Sequence, residues 1–448
     1  MRTTAILMAL AAACWLPAAG AGAQAVWSVD RCMAYAVEHN RTVRQRHYEA
    51  ANYQADRLKA YGSFLPGVNG SMSVQYNYGR SVDPETNTYN NISTFHNGLG
   101  LEAAVYVFRG GYLVNQVRQA NANVLLGKAA LQEAQDNTAL ETFQAYINTL
   151  YYYGTARLAR LKLAESDSLL YKTRRQEALG LKGAADVAQI EAQQAADAYN
   201  LTHQRHLYET ALLTLKQQMS LPATDTLLID TCLIATPTLE QVRLDGAHPD
   251  TLFQIALRLN PSLRQAALQQ RAALMRRKMA VSAFLPTISF YAGISTSYYK
   301  ELHKQGYESW QRQLDRNLGK YFGFSMSLPL FNRLSGVAGY RQAANHYRIA
   351  TEQYEAKKEA LQQLILQAVQ DREGYLKESI QMEKKVKADS LAYHVTRRKY
   401  EEGLMTSLDV KNNAATLLES QTLLLQNKLT YLMKCRLVEY YKGEQIIH

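Results

Sequence analysis

The chain has 448 residues, with 50 Lys and Arg against 39 Asp and Glu, a formal net charge of +11. Its mean hydropathy of −0.30 excludes a bundle of helical membrane spans, which needs repeated apolar runs of about 20 residues. An apolar fraction of 47% excludes a disordered chain, and four cysteines exclude a disulfide-framed scaffold or a zinc-finger array.

The N-terminus reads as an export signal. Arg2 precedes an apolar stretch from Ala5 to Leu16, and Ala21-Gly22-Ala23 stands before Gln24, which predicts a secretory signal peptide over residues 1–23. Cys14 offers a rival lipoprotein processing site, but Ala11-Ala12-Ala13 before it lacks the large aliphatic residue such sites carry. Export exposes Cys32, Cys232 and Cys435 to an oxidising compartment. An odd number cannot all pair internally, and a Cys32–Cys435 bridge is one option.

The remainder is written twice, at a spacing of about 220 residues. Ala36 and Asn40 meet Ala256 and Asn260, and Phe64-Leu65-Pro66 meets Phe284-Leu285-Pro286. Further on, Arg118-Gln119-Ala120 meets Arg341-Gln342-Ala343, while Gly180, Leu181, Asp186 and Val187 meet Gly403, Leu404, Asp409 and Val410. Matches kept in one order over such a length imply an internal duplication. Residues 24–221 form the first repeat, 222–249 a polar, proline-containing linker, and 250–448 the second repeat.

Each repeat carries two runs of period-two alternation, the signature of half-apolar strands. In the first repeat these are about 67–78, with Val68, Met72, Val74, Tyr76 and Tyr78 on one face, and about 98–108, with Leu99, Leu101, Ala103, Val105 and Val107. The second repeat has about 287–299, with Ile288, Phe290, Ala292 and Ile294, and about 322–330, with Phe322, Phe324, Met326, Leu328 and Leu330. Runs of 9–11 residues suit tilted membrane strands. The intervening segments Arg80–Asn97 and Lys300–Lys320 read as long polar loops of about 20 residues, as outer-membrane barrels have. A soluble hairpin fits the same pattern. Lipid tolerates no open sheet edge, so four spanning strands require an oligomer: two, three or four copies would give barrels of 8, 12 or 16 strands. Tyrosine is abundant, 30 against 10 Phe and 3 Trp, and Tyr76, Tyr78, Tyr298 and Tyr299 fall at strand ends where interfacial girdles sit.

Between the strands the chain is rich in helix formers and nearly free of proline. One helical pattern runs from Arg109 to about Leu179 and another over 333–402, each about 105 Å long at 1.5 Å per residue. Shorter helices, from Asp30 to about Gly62, 184–220, 250–283 and 404 to about 440, add up in pairs to the same length. The fold class is therefore mainly α with a β-barrel contribution, built from duplicated strand pairs and long coiled-coil helices.

The segment Tyr400-Glu401-Glu402-Gly403-Leu404-Met405-Thr406-Ser407-Leu408-Asp409-Val410 resembles the Y-x-x-G-x-x-(S/T)-x-x-D-V tip motif of the TolC-type outer-membrane efflux protein family. Leu179-Gly180-Leu181 leading to Asp186-Val187 is a weaker twin, and the two Phe-Leu-Pro segments resemble the family's strand entries. The resemblance implies a homotrimer forming a 12-stranded barrel in the outer membrane and a 12-helix tunnel through the periplasm. It implies a passive exit duct that partners a periplasmic adaptor protein and an inner-membrane pump, in efflux or type I secretion. It further implies a gate at the tip, with Asp409 and Asp186 as carboxylates of the entrance and Tyr400 holding the closed state. Asn412 stands where some members carry a second Asp, and Met405 stands where a basic residue can accompany the tyrosine. Adaptor contact would involve Gly180, Leu181, Gly403 and Leu404.

The same residues have plainer readings. An Asp in the first helical turn stabilises the helix N-terminus, and Thr406 or Ser407 could cap it. Gly180 and Gly403 suit chain reversal. His203 and His206 stand one helical turn apart without a third ligand, and Gly98-Leu99-Gly100 lacks the strand–turn–helix context of a dinucleotide fingerprint. No P-loop, G-x-S-x-G or H-E-x-x-H occurs, so no enzyme and no cofactor is expected. The basic residues are spread along helices, which disfavours nucleic acid as a partner. The competing reading is a non-conducting coiled-coil envelope protein anchored in the outer membrane.

Overall fold

The computed structural model describes residues 26–82, 87–235 and 248–444. The signal-peptide reading, with Cys14, lies outside the described residues, as does 236–247 of the linker. The elements run α1 Val29–His39, α2 Arg41–Gly62, β1 Gly67–Val82, β2 Tyr89–Arg109, α3 Tyr112–Ala178, α4 Ala184–Gln218, α5 Pro249–Leu259, α6 Pro261–Ala280, β3 Thr287–Glu301, α7 Trp310–Arg316, β4 Gly319–Ser327, α8 Ser335–Glu401 and α9 Ser407–Tyr441. Corresponding helices agree in length: α3 and α8 have 67 residues each, α4 and α9 have 35 each, and α1 and α5 have 11 each.

The helix preceding each strand pair is broken rather than continuous. Asn40 leaves the helical region with ψ 132°, and Asn260 does so with ψ 121°, followed by Pro261 at the first helical position. Each asparagine side chain then caps the next helix: Asn40 Oδ1 accepts from the Thr42 N–H at 2.8 Å and Asn260 Oδ1 from the Leu263 N–H at 3.1 Å.

The described residues group into two compact units, each drawing on both repeats. One unit, within Gln45–Ala134 and Leu257–Gln363, contains all four strands. They form one antiparallel sheet in the order β1-β2-β3-β4. Register explains the alternation of the sequence. Met72 pairs with Leu99, Leu101 with Ile294, and Phe290 with Phe324, so one face is apolar across every strand. At one end of that face Tyr76, Phe95 and Tyr298 form a row, with ring centres 4.9 and 5.9 Å apart. The opposite face carries Asn69, Ser71, Ser73, Gln75 and Asn77.

Four details depart from the alternation. The polar segment Arg80–Asn97 is mostly strand, since β1 continues to Val82 and β2 starts at Tyr89. Backbone pairing needs no apolar face, and Asn, Ser and Thr extend the ladder. Within the second polar segment, α7 sits beside the part of β3 that β4 does not reach. There Gln313 Oε1 accepts from the Tyr299 N–H at 3.0 Å, and Asn317 Nδ2 donates to the Ser297 carbonyl at 2.7 Å. A bulge between Tyr106 and Phe108 brings Phe108, not Val107, opposite Ile288. Finally, β4 ends at Ser327 because Pro329 has no N–H to continue the ladder.

The other unit is helical apart from one isolated bridge between Trp27 and Ile229. Its core gathers Cys32, Met33 and Ala36 of α1, Tyr146 and Leu150 of α3, Leu215 of α4, and Met219, all fully buried. Burying each large apolar side chain contributes about 1.5–3 kcal/mol. The Tyr146 hydroxyl bonds to the Asp230 carbonyl at 2.8 Å and lies 3.2 Å from that of Trp27, so the segment after α4 packs on the core. Cys32, Cys232 and Cys435 are free thiols, in place of the Cys32–Cys435 bridge. Burial pushes the Cys32 thiol up to about 12. Helices α3 and α9 approach closely at Gly154, where a Cβ would collide with the Leu425 side chain.

Candidate functional site: the paired helix turns

Two hairpin turns, α3 to α4 and α8 to α9, close the helical unit with the same geometry. In the first, Gly180 has φ +72°, the Gly180 N–H bonds to the Glu177 carbonyl at 2.8 Å, and the Leu181 N–H bonds to that of Gln176 at 2.9 Å. In the second, Gly403 has φ +80°, with the Gly403 N–H bonding to Tyr400 at 3.0 Å and the Leu404 N–H to Lys399 at 2.8 Å. Both are Schellman terminations, which require a left-handed residue after the helix. Open space surrounds both glycines, so conformation alone demands them. The following leucines project outward, Leu181 at 70% and Leu404 at 71% exposure.

Asp186 and Asp409 occupy the third position of α4 and α9. Asp409 Oδ2 accepts from the Thr406 N–H at 3.0 Å and from the Thr406 hydroxyl at 2.6 Å. Thr406 Oγ1 accepts in return from the Asp409 N–H at 3.3 Å, completing a capping box. In the first turn Gly183 supplies no side chain, and only the return bond remains, from the Gly183 N–H to Asp186 Oδ2 at 3.3 Å. The cap is therefore Thr406 and not Ser407, whose hydroxyl instead donates to Gln189 Oε1 on α4 at 2.8 Å. The Thr406 hydrogen bonds hold the Asp409 carboxyl below its usual range. Asn412 is exposed on α9, its carbonyl accepting from the Thr416 hydroxyl at 3.0 Å.

Tyr400 is 1% exposed and packs with Leu169, Ile190, Tyr393, Val410 and Ala414, with Met405 alongside. Its hydroxyl lies 3.5 Å from the Thr173 hydroxyl. A cation does accompany this ring: Lys182 Nζ, from the other turn, stands 4.2 Å from the ring centre. Lys172 Nζ joins Glu401 Oε1 at 2.8 Å, which ties the ends of α3 and α8 and, first among its causes, lowers the Glu401 carboxyl.

A buried polar band adjoins this cluster. Asp197, 6% exposed, accepts from the Ser166 hydroxyl and from Gln193 Nε2, the latter at 3.0 Å. The Tyr393 hydroxyl donates to Glu165 Oε2 at 3.0 Å while Lys162 Nζ stands 4.9 Å from its ring centre. Desolvation lowers the Lys162 ammonium from its ordinary range. Lys182 and this band escape the motif because their partners are remote in sequence. His203 and His206 are exposed, and no cluster able to hold a metal occurs among the described residues.

Residues 252–434 match the family described as "Outer membrane efflux protein". No curated protein matches the sequence. The fold is similar to that of the CusC channel, with TM-score 0.79, 17% identity, and coverage of 93% of this chain and 92% of that one. It is equally similar to the outer-membrane channel OprN, with TM-score 0.79, 18% identity, and coverage of 94% and 91%. The outer membrane protein VceC from Vibrio cholerae gives TM-score 0.78, 16% identity, and coverage of 93% and 96%. The second repeat thus carries the sequence pattern of the outer membrane efflux protein family, and the fold along nearly the whole chain is similar to that of solved outer-membrane channels.

Proposed function

We propose that the protein is the passive exit duct of a tripartite efflux or type I secretion system and carries out no covalent chemistry. Three copies close a 12-stranded barrel, the helices enclose a periplasmic tunnel, and the paired turns form its gated tip. One observation carries this reading. The sheet has a largely apolar face on four in-register strands, interrupted by Asn97 and Lys320, yet β1 and β4 each pair on one side only. Such edges are intolerable in lipid unless copies join them.

At the tip, Leu181 and Leu404 beside Gly180 and Gly403 offer an apolar surface for a periplasmic adaptor, which would couple the duct to an inner-membrane pump. Asp409 and Asp186 line the entrance, Tyr400 stabilises the closed arrangement, and Asn412 leaves one fixed carboxylate where a double ring would carry two. The test is conductance of the purified oligomer in planar bilayers. Discrete channels that widen when the Lys172–Glu401 tie is removed by Lys172→Ala are expected. An inserted trimer that stays silent even then would favour the non-conducting envelope protein.

A further inference from the structure

The polar face of the sheet contains one arrangement that register makes rigid. Gly293 of β3 pairs with Glu102 of β2 on one side and with Tyr321 of β4 on the other. Tyr291 pairs with Gly323. A Cβ on Gly293 would stand 2.6 Å from the Tyr321 hydroxyl, and one on Gly323 would stand 2.7 Å from that of Tyr291. Each glycine therefore leaves the space in which the neighbouring strand's tyrosine lies across the sheet. Tyr321 spans β3 in this way, and its hydroxyl donates to Glu102 Oε2 at 2.8 Å. The Tyr291 and Tyr321 ring centres are 6.3 Å apart.

Glu102 is also isolated in charge. The four strand segments contain just one other acidic residue, Glu301, at the end of β3. The polar face of β1 is neutral, and Lys320, next to Tyr321 in β4, alternates to the opposite face. A carboxylate held in place by the Tyr321 hydroxyl, with the Tyr291 ring next beyond that of Tyr321, has the chemistry of a cation receptor. The charge supplies long-range attraction, and the ring faces add a quadrupole attraction at short range.

Resting on the reading that this face lines a lumen, we propose that Glu102, Tyr321 and Tyr291 form a cation-binding station inside the barrel, distinct from the carboxylates of the tip. It takes multivalent cations through their outer hydration or ligand sphere, and repetition in every copy makes the wide end of the duct cation-selective.

The experiment uses the full-length oligomer in planar bilayers, with reversal potentials in a KCl gradient. Hexaamminecobalt(III) is added from the side of the β1–β2 hairpin. Glu102→Gln keeps the shape and can still accept the Tyr321 hydrogen bond. It is expected to lower cation preference and weaken hexaamminecobalt block by about tenfold. Tyr321→Phe, which keeps the ring but frees the carboxylate, should weaken block less than Glu102→Gln while leaving the selectivity cationic. Conducting Glu102→Gln channels with unchanged selectivity and block would overturn the proposal alone. Absence of conductance in wild type and both variants would overturn the channel reading and this proposal with it.

Discussion

Lys182 holds its ammonium 4.2 Å from the centre of the Tyr400 ring, and so links the first helical hairpin to the end of α8. The ring is almost fully buried, whereas its hydroxyl makes only a 3.5 Å contact with Thr173. Packing and the cation, rather than the hydroxyl, should therefore hold this point. Tyr400→Ala is expected to destabilise the tip by about 3–5 kcal/mol. Lys182→Met, which keeps the apolar stem, should cost about 0.5–1 kcal/mol, and Tyr400→Phe should cost less. Hydrogen exchange across α9 measures all three. A Tyr400→Phe loss as large as that of Tyr400→Ala would reject this ordering.

The ends of α4 and α9 offer a comparison within one chain. Ser220 terminates α4 with φ +57°, where the equivalent Gly443 terminates α9 with φ +85°. In both the following N–H reaches back five residues, at 2.8 Å for Leu221 and 3.2 Å for Glu444. Glycine adopts this conformation without the strain of a Cβ. Ser220→Gly should then stabilise the protein by about 0.4–1 kcal/mol, and Gly403→Ala should destabilise it by at least as much. Thermal unfolding of the two variants in detergent tests the opposite signs.

Thr406→Ala should lower the local stability of the α9 start by about 1 kcal/mol. The pH dependence follows from the Asp409 carboxyl, whose folded value lies below the ordinary 3.8. A depressed carboxyl contributes stability above its unfolded value and loses it as pH falls through the folded one. The difference in exchange between wild type and Asp409→Asn should therefore be full at neutral pH, begin to shrink below about pH 4 and vanish only once the folded carboxyl is itself protonated. A difference that grows on acidification would contradict the capping geometry. If Asp409 also lines the pore, Asp409→Asn additionally weakens block by multivalent cations added at the tip.

Gly154 allows α3 and α9 to approach, because any side chain there meets Leu425. Gly154→Ala should cost about 1–3 kcal/mol through overpacking. Adding Leu425→Ala should recover part of that loss despite removing apolar volume. Strict additivity in the double-mutant cycle would show that the two residues do not share the space.

The apolar sheet face was legible because Val68 to Tyr78 and Ile288 to Ile294 alternate with period two, and lipid permits little else. The start of β2 at Tyr89 was not, since strands beyond the lipid lose their hydrophobic periodicity. The helix break was concealed for a related reason: Asn40 interrupts the backbone without interrupting the pattern of helix formers around it. At the tip, Gly403 and Asp409 announced a turn and a helix start. Lys182 did not announce its ring, since 218 residues separate it from Tyr400. The Glu102–Tyr321 pair stayed hidden likewise, because strand register and not sequence distance sets the two side by side.

Strand lengths carry one last consequence. β1 spans 16 residues, whereas β4 spans nine and its ladder with β3 is equally short. In a ring closed between β4 of one copy and β1 of the next, the seam can be no longer than β4 itself. The two shortest ladders then flank the same strand, so β4 is the weakest stave of the ring. Mechanical opening or failed assembly should begin there, by peeling β4 from either neighbour.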